Sequence, residues 1–210
     1  MLRQKAASEC SDEEVATDFV ESAGEGGFMR EYLLHAQLGV VLNNTLYLHG
    51  GLTSASYRDP KASALGFVPG ANMRSAKDRI LSVRAWVEAL NAWAQQQVHA
   101  WIEQPEWTNP IDSASGEVGR EDVAAICAMV ANGIELAPSR SRGGEALMDY
   151  VVPNSVPSVV MGRHLTSKGM PLPLGEGLLH QLHSNGIRRL VVGHTPHGNC
   201  PTVIKCRAMV

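Results

Sequence analysis

The chain predicts an α/β fold in which a small sheet is layered against helices. Three observations carry that expectation. Short runs of apolar and β-branched residues stand at 38–42, 45–48 and 188–192, the length and composition of strands. Between 75 and 104, apolar residues recur at spacings of three and four, the period of one helix face. The order reads sheet, helical excursion, strand, helix, strand, strand, with glycine-flanked loops at the strand ends, where side chains for chemistry gather.

Along the chain, Ser11-Asp-Glu-Glu14 is a capping box that starts a short acidic helix running to about Glu21, its acids forming a solvated face. Gly24-Glu-Gly-Gly27 then breaks the chain. The strands Leu38 to Leu42 and Thr45 to Leu48 flank Asn43-Asn44, a pair that tolerates the positive φ of a tight hairpin turn. From Thr53 to Asn72 the composition is that of a long loop. Ser75 offers the cap of a helix of about 28 residues, on which Ile80, Val83, Trp86, Leu90, Trp93 and Trp101 share a face until Pro105 stops it. Tryptophans at that spacing are read as core or inter-helix packing before a ligand platform or a membrane-surface face.

A second helix is expected from Arg120 to Ala131, between the turn-rich Pro105 to Gly119 and the basic loop Ser139-Arg-Ser-Arg-Gly-Gly144. Residues 73–150 thus read as a helical cap inserted in one domain spanning 1–210. Downstream, Ser158 to Met161 is a short strand candidate, and Gly175 to Ser184 a helix with Gly186 as its left-handed stop. Arg188 to Val192 reads as a buried strand and Pro201 to Lys205 as a final one.

A net charge of −3, without a run of Lys and Arg, leaves no electrostatic footprint for nucleic acid or an anionic membrane surface. The four cysteines show no Cys-x-x-Cys spacing and are expected as free thiols in a reducing compartment, the cytoplasm. No stretch of 18 apolar residues occurs, so no membrane span is expected. Oligomeric state is not legible.

Two residues stand where chemistry is expected. His49 stands in the run Thr45-Leu-Tyr-Leu-His-Gly-Gly51, and His194 in Leu190-Val-Val-Gly-His-Thr195. Each follows an apolar strand and sits beside glycine, which lets the backbone turn sharply or approach a ligand. The bland reading is a histidine that closes a strand end and bonds to backbone; the sharper one is a shared metal or anion site. His164, His180 and His183 read as ordinary, and His197 stands one residue too far from His194 for a Gly-His-x-His pair. Gly193-His194 does not read as a nucleotidyltransferase motif either, because Val191 stands where that motif needs a histidine.

The pairing of His-Gly-Gly-Leu (49–52) with Val-Val-Gly-His-Thr-Pro (191–196) resembles the calcineurin-like metallophosphoesterases, within them the Shewanella-like branch of the phosphoprotein phosphatases. The resemblance covers roughly residues 27–52 and 155–205. It implies the C-terminal part of a four-layer αββα sandwich and a hydrolase of phosphomonoesters or phosphorylated proteins. It also implies two divalent ions (manganese, iron or zinc) that activate a water. By motif, His49 and His194 correspond to ligands of the second metal. Arg163, in Val160-Met-Gly-Arg-His-Leu165, falls where the family carries a phosphate-holding arginine, although the aromatic pair before that arginine is absent here.

The family's Gly-Asp-x-His, Gly-Asp-x-x-Asp-Arg and Gly-Asn-His-Glu motifs, which supply the remaining ligands and the acid histidine, occur nowhere in this chain. The expectation is that Met1 is an internal methionine, that the chain alone holds at most one ion weakly, and that it lacks turnover. The alternative is a non-catalytic remnant or binding module that engages a partner through the tryptophan-bearing cap.

Overall fold

The computed structural model describes residues 10–54, 62–71, 76–108, 141–153, 156–166, 168–195, 199 and 201–206. The expected helix 120–131, the cap residue Ser75 and His197 lie outside them. The chain divides into two compact units, residues 1–36 and 37–210.

In the first unit, α1 (Asp12–Ala23) begins at the expected capping box: Ser11 Oγ accepts from the Glu14 N–H, and the Ser11 N–H donates to the Glu14 carboxylate at 3.0 Å. After a turn through Gly26 at φ 73°, a helix not anticipated from sequence, α2 (Phe28–His35), follows.

The second unit holds a three-stranded mixed sheet in the order β1 (Gly39–Leu42), β2 (Thr45–Leu48), β3 (Arg189–Val192). The antiparallel β1–β2 hairpin turns on Asn43 at φ 53°. β3 lies parallel to β2, with Leu46 opposite Leu190 and Leu48 opposite Val192. This parallel pairing brings the ends of β2 and β3, and the residues that follow them, to the same edge of the sheet. An α/β class with mixed helices and a small mixed sheet is therefore what the chain forms.

The main helix, α3 (Val83–Glu103), packs on β1 and buries Val83, Trp86, Val87 and Leu90 in one cluster with Leu46, Leu48 and Leu52. It is 21 residues long, shorter than the expected 28 or so, because its start is fixed from outside. Ser82 Oγ accepts from the Ala85 N–H and Asn185 Oδ1 from the Val83 N–H, filling first-turn donors. Upstream, the Ile80 N–H bonds to Gly66 O and the Leu81 carbonyl accepts from Asn185 Nδ2, so residues 79–81 are held out of the helix. Only a 3₁₀ turn, Ala76–Asp78, precedes them.

Two of the tryptophans, Trp86 and Trp93, are absorbed by packing. Trp86 is fully buried with its indole N–H on the Phe67 carbonyl, and Trp93 meets Tyr150 edge to face at 5.2 Å. Tyr150 closes α4 (Glu145–Tyr150), and α5 (Glu176–Ser184) ends as expected, with Gly186 at φ 76° and the Ile187 N–H returning to Leu182 O.

Three expected strand features are corrected. Ser158 to Met161 is a turn, because Ser158 Oγ accepts from the Val160 and Met161 N–H groups and Ser158 O from the Gly162 N–H. β3 is half-buried, with Val191 46% exposed, because that residue lies on the sheet face it shares with Tyr47 of the central strand, itself 41% exposed. Pro201 to Lys205 joins no ladder among the described residues, and Val203 is 78% exposed; alternation yields a strand only where a partner edge and a face to bury accompany it.

Candidate functional site

His49 follows β2 and Gly193-His194 follows β3, so the parallel register delivers both imidazoles to one sheet edge. The Gly193 N–H donates to His49 O at 2.8 Å, tying the two strand ends together one residue beyond the ladder. His194 Nδ1 lies 3.3 Å from His49 Nε2. Ends of parallel strands at a loop edge are where α/β folds commonly place ligands.

The backbone around His194 is unusual for a residue with a side chain. Its φ is 66°, and the Thr195 N–H closes back onto Gly193 O at 2.8 Å, giving the strained hand of the γ-turn. That turn aims the ring at His49 instead of along the strand. Among the described residues, His194 Nε2 and Thr195 Oγ1 are buried without a hydrogen-bond partner.

The glycines beside His49 serve close approach. The Gly50 N–H donates to Val159 O and the Gly51 N–H to Gly162 O, both at 2.6 Å, while the Arg163 N–H donates to Thr53 O at 2.7 Å. A Cβ on Gly50 would strike the Val160 carbonyl, and one on Gly162 would strike that of Gly51. The 158–163 turn is thus laced to the loop after His49, which brings Arg163 beside the histidines. Arg163 is exposed, and its guanidinium acts on His194 electrostatically. Burial, the Arg163 charge and the neighbouring His49 together hold the His194 pKa below the ordinary imidazole value, so the neutral, ligating form is favoured.

His164, read from sequence as ordinary, has a positioning role. Its Nε2 accepts from the Leu52 N–H at 3.2 Å, fixing the loop that starts at Gly50. Burial lowers its pKa, and a hydrogen bond to the Leu172 backbone opposes that shift. Its place next to Arg163 was the only signal the sequence offered.

The structure therefore brings His49, His194 and Arg163 to one edge. Two imidazole nitrogens 3.3 Å apart suit a common ion, since two ligands about 2.1 Å from a tetrahedral ion stand about 3.4 Å apart. No group of three or more His, Cys, Asp or Glu side chains suited to a metal is present among the described residues. Nor, among them, is any helix long and apolar enough to cross a membrane. No family model, curated protein or solved structure matches the chain.

Proposed function

We propose that this chain carries the second-metal half of a two-metal phosphoesterase site, within a domain whose sheet and helices belong to a four-layer sandwich. The observation that supports this reading most directly is the 3.3 Å separation of His49 Nε2 and His194 Nδ1 at the shared end of two parallel strands. His49 and His194 would hold one divalent ion, with imidazole suiting manganese, iron or zinc. When bound, such an ion polarises a phosphoryl oxygen.

The chain's own residues supply the rest. Arg163 offers a planar, permanently charged fork for two oxygens of a phosphomonoester, free or on a phosphorylated protein. The neutral state of His194 keeps a lone pair available near pH 7. Among the described residues two features weaken the site: no carboxylate joins the imidazoles, and the far nitrogen of His194 lacks the partner that usually orients a ligating ring. Weak binding of one ion without turnover is the resulting behaviour, in a reducing compartment such as the cytoplasm.

Titration calorimetry with manganese or zinc tests this. One weak site per chain is expected, lost in His49→Ala and in His194→Ala. An absence of ion binding in the unmodified chain would remove the metal reading, and robust hydrolysis of a generic phosphomonoester with added manganese would overturn the half-site reading.

A further inference from the structure

The core face of the sheet, covered on the β1 side by α3, runs out beyond β3 into an open groove of about 1150 Å³. Its deepest side chains are Leu179, Leu182 and Ile187, each buried, and its walls include Leu172, Leu174 and the exposed Val203. Ligand sites typically measure about 300–1,000 Å³, so the volume accommodates a whole small molecule.

The chemistry of the lining is one-sided. Among the described residues no Phe, Tyr or Trp lines it, and its only aromatic rings are the imidazoles of His164 and His183. No Asp or Glu among the described residues lines it either, whereas Arg163, Arg188, Arg189 and Lys205 do, in a chain that carries three more acids than bases. Aliphatic walls select a flexible hydrocarbon, and an acid-free basic rim selects an anion. We propose that this groove binds an aliphatic chain ending in an anionic head, a carboxylate or a phosphate monoester, taken up as the free monomer. The inference does not rest on the phosphoesterase reading, since the groove needs no metal.

Calorimetry with octanoate, decanoate and dodecanoate, each below its micelle concentration, tests the proposal on the intact chain. Affinity is expected to rise about tenfold for each added pair of methylenes, the increment of burying them. Decanol, with the same tail and no charge, is expected to bind at least about tenfold more weakly than decanoate, as the loss of a charge-assisted contact requires. Val203→Glu alters an exposed wall residue and leaves the fold intact by circular dichroism; it is expected to weaken dodecanoate about tenfold or more by placing a like charge in the groove. Equal affinity across the three chain lengths, equal affinity for decanol and decanoate, or an unaffected Val203→Glu variant would each overturn the proposal. So would binding to phosphatidylglycerol vesicles with none to the monomeric acids, since that assigns the basic rim to a membrane surface.

Discussion

The His49 and His194 rings meet edge to face, their centroids 5.3 Å apart and their planes inclined by 67°. With the facing nitrogens at 3.3 Å, the space between them admits one small cation, a proton or a metal ion but not both. The first prediction is a competition: zinc affinity falls as pH drops through the range where His194 takes up a proton. Calorimetry between pH 5.5 and 8 checks it, and an affinity flat over that range would separate the ion from the imidazoles.

Stability should follow pH in a stated direction. His164 and His194 both have pKa values held below the ordinary imidazole value, mainly by burial. Below about 6.5 the unfolded chain therefore binds more protons than the folded one, and unfolding free energy rises with pH through that window. Thermal melts at pH 5 and pH 7 should show the higher midpoint at pH 7. His164→Gln should flatten that dependence in part, whereas an unchanged slope would remove His164 from the account.

Replacing His194 separates backbone strain from side-chain role. Its left-handed φ of 66° is costly for a residue with a Cβ, by about 1–3 kcal/mol. His194→Gly should thus be more stable than His194→Ala by about 1 kcal/mol, while neither binds the ion. Equal denaturation midpoints for the two variants would show that the turn carries no strain.

Gly162→Ala is expected to be the most disruptive small change near the site. Its methyl would meet the Gly51 carbonyl oxygen, backbone against side chain, with no rotamer to relieve the overlap. Overpacking of this kind costs about 1–3 kcal/mol. Gly169→Ala, which has open space but also a positive φ, serves as the comparison for strain alone.

Asn91 closes the outer edge of the sheet. Its Oδ1 accepts from the Leu38 and Gly39 N–H groups at 2.9 and 3.2 Å, and its Nδ2 donates to Gly39 O at 2.9 Å, so a side chain takes the place of a neighbouring strand. Asn91→Leu should lower stability by about 1–3 kcal/mol and raise light scattering on heating. A variant that melts earlier without scattering more would limit Asn91 to a stabilising role.

Features that depend on neighbours in sequence were legible. The Ser11–Glu14 capping box, the Asn43 turn and the Gly186 stop each have their cause within a few residues and stand as expected. Features set from a distance were not. The start of α3 depends on Asn185, 102 residues from Val83, and the role of His164 depends on Leu52, 112 residues away. Ser158 to Met161 has strand composition, but one hydroxyl captures the donors a ladder needs. The half-burial of β3 follows from the exposure of the sheet face that Val191 shares with Tyr47, which no local pattern records. Of the candidate site, the glycine-flanked histidines were visible, while the strained turn that points them at one another was not.

The β2–β3 pairing also bears on how the protein reaches its native state. The β1–β2 hairpin forms between neighbours, on a timescale of about 1–10 μs for such elements. His49 and His194 lie 145 residues apart, so their meeting waits on closure of one long loop. Contacts of that sequence separation slow folding far more than they alter final stability. The meeting of the two rings therefore reports that this long loop has closed.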